Sequence, residues 1–167
     1  MKNFKLALSA IAILAVSAPL SHAVTADGTG SANIVAPLSI SNTEGLRFGD
    51  IAPSVTNSGV VTIGTDDSQV CAAGLTCFST APVGAAAFTV TGFENAVYDI
   101  TVPADVTLNG TGSAAGQSMT ASLNGSKASG TLTSGTDSFT VGGALTVGAN
   151  QTVGAYSGTF TVTVEYQ

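Results

Sequence analysis

The sequence is short of charge, of aromatic rings and above all of basic side chains. Only 8% of its 167 residues are charged; four Lys or Arg face ten Asp or Glu, with one His and no Trp. Two of the four cations, Lys2 and Lys5, and the single histidine, His22, lie close to the N-terminus. Beyond them the only cations are Arg47 and Lys127. A nucleic-acid surface needs clustered cations to neutralise phosphates, and a polybasic membrane patch needs them too, so neither nucleic acid nor a lipid membrane is an expected partner. Histidine is the commonest general base and nitrogen ligand. His22 lies in the leader expected below, and once it is removed no Ser-His-Asp or Cys-His centre can be assembled. The ten acids are scattered, and Asp66-Asp67 is the only adjacent pair. Calcium takes six to eight oxygen ligands, so this pair reads as a solvated turn. No catalytic residue, metal ligand or cofactor site is expected, and the chain is not expected to be an enzyme.

Long hydrophobic runs are also scarce, with one exception at the start. After Lys2 and Lys5, Leu6 to Ala18 is an uncharged apolar run, ended by Pro19 and followed by Ser21-His22-Ala23. A basic start, a short apolar core and small residues before a cleavage point make a secretory signal peptide. The run is about 13 residues, short of the roughly 20 that a spanning helix needs. Cleavage after Ala23 leaves Val24 to Gln167 with two cations against ten acids, a net charge of 2 − 10 = −8. The expected route is export through the inner membrane, then periplasm, cell surface or medium.

Cysteine is limited to Cys71 and Cys77. In an exported chain two such residues are expected to form a disulfide. With no further Cys or His beside them, a metal or redox role is disfavoured.

What remains is Gly, Ala, Ser, Thr and Val, with twenty glycines. No amphipathic helical stretch follows the leader. Short runs of alternating apolar and polar residues, punctuated by Gly, Asn, Pro and Ser, predict an all-β antiparallel sandwich or barrel. The predicted strands are Ala32–Ile40, interrupted by Pro37, then Leu46–Ile51, Gly59–Ile63, Val70–Ser79, Ala87–Thr91, Val97–Val102, Ser118–Leu123, Ser138–Val141, Ala144–Val147 and Ser157–Tyr166. Ala87–Thr91 and Val97–Val102 are expected to form a hairpin about Gly92–Asn95. Asn109-Gly110 and Asn124-Gly125 are expected turns. In Ser157–Tyr166, Phe160, Val162, Val164 and Tyr166 alternate with Thr159, Thr161, Thr163 and Glu165, as in a strand with one face in a core and one in water. No linker divides the chain after the leader, so one domain is expected over 35–167, preceded by an extension over 24–34.

Three segments carry a family resemblance: IVAPLSISNTEGLRFGDIAP (34–53), AAFTVTGFENAVYDITVP (86–103) and GGALTVGANQTVGAYSGTFTVTVEYQ (142–167). They resemble a family of exported proteobacterial domains of unknown function, a likeness that implies no activity. The C-terminus is also similar to that of fimbrial subunits assembled by the chaperone–usher route and of spore-coat-U-like subunits. Those chains tend to end in an alternating strand with a penultimate tyrosine, here Tyr166, and a glycine fourteenth from the end, here Gly154. Tyr156, Gly158, Phe160, Val162 and Val164 fill the positions between.

This second resemblance implies an immunoglobulin-like sandwich that lacks one strand. A periplasmic chaperone first fills the gap, and the N-terminal extension of another copy then replaces it at an outer-membrane usher. Gly154, Tyr156, Gly158, Phe160, Val162, Val164 and Tyr166 are then the expected contact strand. The expected donor is Val24 to Ile34, in which Val24, Ala26, Gly28, Gly30, Ala32 and Ile34 share one face. Two functions follow as expectations: a structural subunit of a surface fibre, and, as the alternative, a self-contained secreted binding module or surface-layer component. For the latter, Phe93 in the Gly92–Asn95 turn is the candidate contact.

Overall fold

The structure, a computed structural model, describes residues 22–167. The basic start and apolar run of the expected leader lie outside them. Ile34–Gln167 form one compact unit, apart from the residues before it. Its strands are β1 (Ser39–Glu44), β2 (Arg47–Ala52), β3 (Gly59–Ile63), β4 (Gln69–Cys71), β5 (Thr76–Gly84), β6 (Ala86–Thr91), β7 (Val97–Thr101), β8 (Asp105–Gly110), β9 (Ser118–Gly125), β10 (Ser129–Thr131), β11 (Thr136–Val147), β12 (Tyr156–Ser157) and β13 (Thr163–Tyr166). One 3-10 turn, Gly112–Ala114, interrupts them. All the pairings are antiparallel, so the all-β, sandwich-like immunoglobulin-type architecture holds.

The twelve-residue β11 organises the larger layer. Its first half, Thr136–Val141, pairs with β6, and its second half, Gly143–Val147, pairs with β3. Its opposite edge pairs with β9. β1 extends the sheet from β6, β4 from β3, and β8 and β12 from β9. The sequence reading broke β11 at Gly142-Gly143, but the strand runs straight through. A Cβ at Gly142 would run into the Ile63 carbonyl, and one at Gly143 would lie 2.9 Å from the Ser122 carbonyl. The glycines mark close backbone approach where β6 gives way to β3, not a turn.

The second layer consists of two pieces, a three-stranded sheet β10-β7-β13 and a two-stranded ribbon β2-β5. One core cluster contains Phe88, Val90, Tyr98, Ile100, Leu132, Phe139, Val141 and Val162. The other contains Phe48, Val61, Ile63, Val106, Ala121, Leu145 and Val147. Leu46, Leu123 and Phe160 pack against both.

Several expected elements change. Ala32–Ile40 is not a strand: pairing starts at Ser39 and runs on through the polar residues to Glu44. Pro37 cannot donate to a ladder, whereas Asn42 Nδ2 and Thr43 Oγ1 both donate to the Ala87 carbonyl, at 3.1 and 3.2 Å. The expected β6–β7 hairpin does not form, because the two strands belong to different layers. Both bury a face in the same cluster, so Gly92–Ala96 crosses between the layers, with Asn95 at φ 61°. Val70–Ser79 divides into β4 and β5 around Ala72–Leu75. Asn109-Gly110 and Asn124-Gly125 end strands β8 and β9 rather than forming turns. Ser157–Tyr166 divides into β12, paired with β8, and β13, paired with β7, so the C-terminal run passes from one layer to the other.

One polar cluster sits against this core. Tyr98 is fully buried, and its hydroxyl donates to Asp137 Oδ2 at 2.9 Å. Lys127 Nζ reaches the same oxygen at 2.6 Å, and the Ser138 N–H donates to Oδ1. Burial, then the hydrogen bond and charge of Asp137, push the Tyr98 hydroxyl far above its ordinary pKa. Burial alone would raise Asp137, but the hydrogen bonds from Lys127, Tyr98 and Ser138 outweigh it and hold the carboxyl below its usual range. A carboxyl depressed on folding stabilises the fold above its unfolded pKa, about 3.9, and loses that contribution as pH falls through the native value. Asp137→Asn is therefore expected to cost about 2 kcal/mol at neutral pH. The deficit should shrink below about pH 4, as measured by urea melts across pH.

Candidate functional site

The split in the second layer leaves a groove. β2 pairs with β5 on one edge, and β13 pairs with β7 on one edge. The opposite edge of each pairs with no strand among the described residues, and Gly158–Val162, which leads into β13, lies in no strand. Between β2 and the stretch that leads into β13 opens a cleft of about 700 Å³. Its floor is the inner face of the large sheet: Val106 and Leu108 of β8, Met119 of β9, Leu145 and Val147 of β11. Phe48–Ile51 of β2 form one wall, and 151–158 with Phe160 form the other. A shallower depression of about 290 Å³, lined by Asn42, Gly45, Ala86, Phe88 and Thr159, shares Leu46, Gly158 and Phe160 with it. Together the two make an apolar trough running beside the C-terminal segment.

Local sequence explains the walls. Gly49, at φ 77°, sits where the register of β2 on β5 jumps from Val83 to Phe78. Residues 79–82 therefore have no partner on β2, and Ala81 and Pro82 turn toward the cleft. Gln69 Nε2 holds the Phe48 carbonyl at 2.8 Å beside this bulge, and Thr80 Oγ1 donates to Asp50 Oδ2 at 2.7 Å. The disulfide Cys71–Cys77 joins β4 of the large sheet to β5 of the ribbon, with Cα atoms 6.3 Å apart. It thereby ties one wall of the groove to the floor's own sheet.

The groove carries little charge. Arg47 Nη1 pairs with Glu44 at 2.7 Å. Its Nε is buried and has no hydrogen-bond partner among the described residues. No group of three His, Cys, Asp or Glu able to hold a metal occurs among the described residues. Asp66 Oδ1 instead accepts from the Ser68 side chain and N–H, and those bonds lower its pKa. Asp67 Oδ1 accepts from the Ala85 N–H.

The seven expected contact residues fall into three groups. Gly154, Tyr156, Gly158 and Phe160 line the groove. Val162 is buried in the first core cluster, and Val164 packs against that cluster from β13. Tyr166 closes one end of the molecule, where its hydroxyl accepts from the Phe93 N–H at 2.6 Å and donates to the Ala36 carbonyl at 3.1 Å. Two of the glycines also meet needs within the chain: a Cβ at Gly154 would meet Ala114, and one at Gly158 would meet the Thr107 carbonyl. Phe93, the other candidate contact, is 44% exposed. Val24, Ala26, Gly28, Gly30, Ala32 and Ile34 are all exposed and lie in no strand.

The sequence reading named none of Leu46, Arg47, Leu108 and Met119 as a site residue. β8 itself was missed, because Asn109-Gly110 read as a turn and hid the alternation of Val106 and Leu108.

A family described as "Domain of unknown function (DUF4402)" matches residues 38–166. The chain belongs to this family. The match begins one residue after Pro37 and ends at Tyr166, so it takes in the whole groove and leaves out the 24–34 segment. No curated protein and no solved structure matches the chain.

The disulfide's position leads to a test. The Cys71→Ser/Cys77→Ser variant is expected to lose about 2 kcal/mol, at the low end for a short closed loop. Hydrogen exchange should rise in β2 and β5 more than in β9 and β11.

Proposed function

We propose that this member of the family is a non-catalytic structural subunit of a bacterial surface fibre. It is exported by its leader, held in the periplasm by a chaperone, and joined at an usher to further copies of itself by strand addition. The groove carries this reading: the unpaired edge of β2 and the stretch Gly158–Phe160, which lies in no strand, border an apolar floor, an arrangement that strand addition can use. An extended segment entering it would satisfy backbone groups on both sides and cover Leu108 and Met119.

The ends of the molecule support the same reading. At the Thr136 end of β11, Tyr166 holds Ala36 and Phe93, so the extension leaves from that end. At the Val147 end, Asn150 binds Ser54 and Val55, and the groove opens beside Gln151–Tyr156. A donor leaving one end and a groove opening at the other make a heterologous contact, which propagates as an open filament wherever its rotation does not close a ring. The donor's inward residues are small, so backbone hydrogen bonds would supply much of the affinity; apolar burial contributes only about 25 cal/mol per Å².

One set of observations favours the alternative of a self-contained secreted binding module or surface-layer component. Gly154, Gly158 and Tyr166 each have a packing or hydrogen-bonding role within the single chain. Heated and unheated samples of the exported chain on a denaturing gel, beside a variant lacking Val24–Asn33, separate the two. Strand addition predicts a ladder of heat-sensitive multimers that disappears with the deletion. Monomer in both lanes, with cooperative unfolding of the full chain, would leave the self-contained module standing.

A further inference from the structure

The large apolar residues that the compact unit leaves exposed gather mainly at its two ends. At the Thr136 end of β11, Ile34 and Val35 lead into Ala36, beside Phe93, Val97 and Tyr166. At the Val147 end stand Val55 and Val153, 73% and 80% exposed. The others, Val60 and Val70, lie on the outer face of β3 and β4, and Phe78 lies at the groove. A single exposed valine means little. The surroundings of Val55 and Val153 are what distinguish them.

The Val147 end is built from the segments 53–59, 72–76, 109–118 and 148–157. There the β3–β11 ladder stops at Gly59 and Val147, the β8–β9 ladder at Asn109 and Ser118, and Tyr156 pairs with Gly110. None of these segments contains an Asp, Glu, Lys, Arg or His. The two valines are also held firmly. The Asn150 N–H donates to the Ser54 carbonyl and Asn150 Nδ2 to the Val55 carbonyl, each at 2.8 Å. Ser113 Oγ donates to the Val153 carbonyl at 2.5 Å, and the Thr111 N–H to the Ala155 carbonyl at 2.8 Å. The segment that carries Val153 is thus fastened on both sides, so backbone bonds and not a loose loop keep these side chains in water.

Charge indicates what such an end accepts. Without the leader each copy carries a net charge of 2 − 10 = −8, so copies repel one another. Repulsion between exposed charges fades over about 8 Å at physiological ionic strength. A charge-free end is where another copy approaches at least cost, and burying its valines contributes about 25 cal/mol per Å². We infer that the uncharged Val147 end is a docking face for a second copy of this chain, which seats on it the end bearing Val35, Phe93 and Tyr166. Glu94, next to Phe93, then meets no like charge. The choice of the end presented rests on the strand-addition reading above. The face itself rests on the missing charge and the fastened valines.

The test uses the full-length exported chain, read as the yield of heat-sensitive multimers and the temperature at which they dissociate. Val55→Asp and Val153→Asp, each alone, bring charge to this face and should lower the yield about tenfold, as loss of a central contact does. Phe93→Ser should lower it from the other side of the junction. Val70→Asp makes the same change on the outer face of β4, opposite Thr62, and should leave the yield unchanged. Circular dichroism checks the folding of each variant, and Val55 and Val153 lie on separate segments, so one serves if the other fails to fold. Multimers that need Val24–Asn33 but respond to Val55→Asp and Val153→Asp no more than to Val70→Asp would overturn the docking face and leave strand addition intact. Sensitivity to the two valines without sensitivity to Phe93→Ser would overturn the choice of the end presented. Multimers that survive deletion of Val24–Asn33 yet fall with Val55→Asp and Val153→Asp would overturn strand addition and support the face. A folded monomer alone, from the unaltered chain, would overturn both.

Discussion

The backbone ladder of β11 is the interaction on which the rest depends. One strand pairs with β6 and β3 in succession on one edge and with β9 on the other. It contributes Phe139 and Val141 to one core cluster and Leu145 and Val147 to the other. Its length carries a single sheet beneath two separate pieces of the second layer. The constraint is steric at its middle. Gly142 and Gly143 let the chain pass the Ile63 and Ser122 carbonyls where the pairing partner changes. A side chain there would force β3 away from the ladder, and with it the sheet that floors the groove.

The groove follows from this arrangement. A continuous sheet faces a second layer that comes in two parts, so some of the inner face has no strand above it. The ribbon β2-β5 stays in place through its own pairing, the Gln69 contact to Phe48 and the Cys71–Cys77 bridge to β4. On the opposite side, the C-terminal segment begins on β8 in one layer and ends on β7 in the other. In crossing it leaves Gly158–Val162 outside any strand, with Phe160 touching Phe88 edge-on at 6.3 Å. The same crossing that locks the layers together produces the unpaired edge.

Much of the local structure could be read from residue alternation. β3 occupies the predicted Gly59–Ile63, and β9 covers the predicted Ser118–Leu123, with Met119, Ala121 and Leu123 alternating inward. Phe160, Val162 and Val164 turn toward the core and the groove, although the strand expected around them is divided. Glycine misled in both directions. Asn109-Gly110 and Asn124-Gly125 resemble turns but lie in strands, and Gly142-Gly143 resembles a break but sits within the longest strand. In each case a neighbouring strand decides what the glycine is for, and that neighbour is distant in sequence.

By itself the sequence determined the all-β class, the paired cysteines, the scarcity of cations and the inward face of each clear strand. Those properties depend on side-chain type and a period of two, which are local. Only the tertiary structure decided that β6 and β7 lie in different layers, that the C-terminal run changes sheets, and that an apolar groove lies beside β2. Those outcomes depend on which backbone edges find partners. Partner choice is settled by packing between segments dozens of residues apart, and no local pattern encodes it.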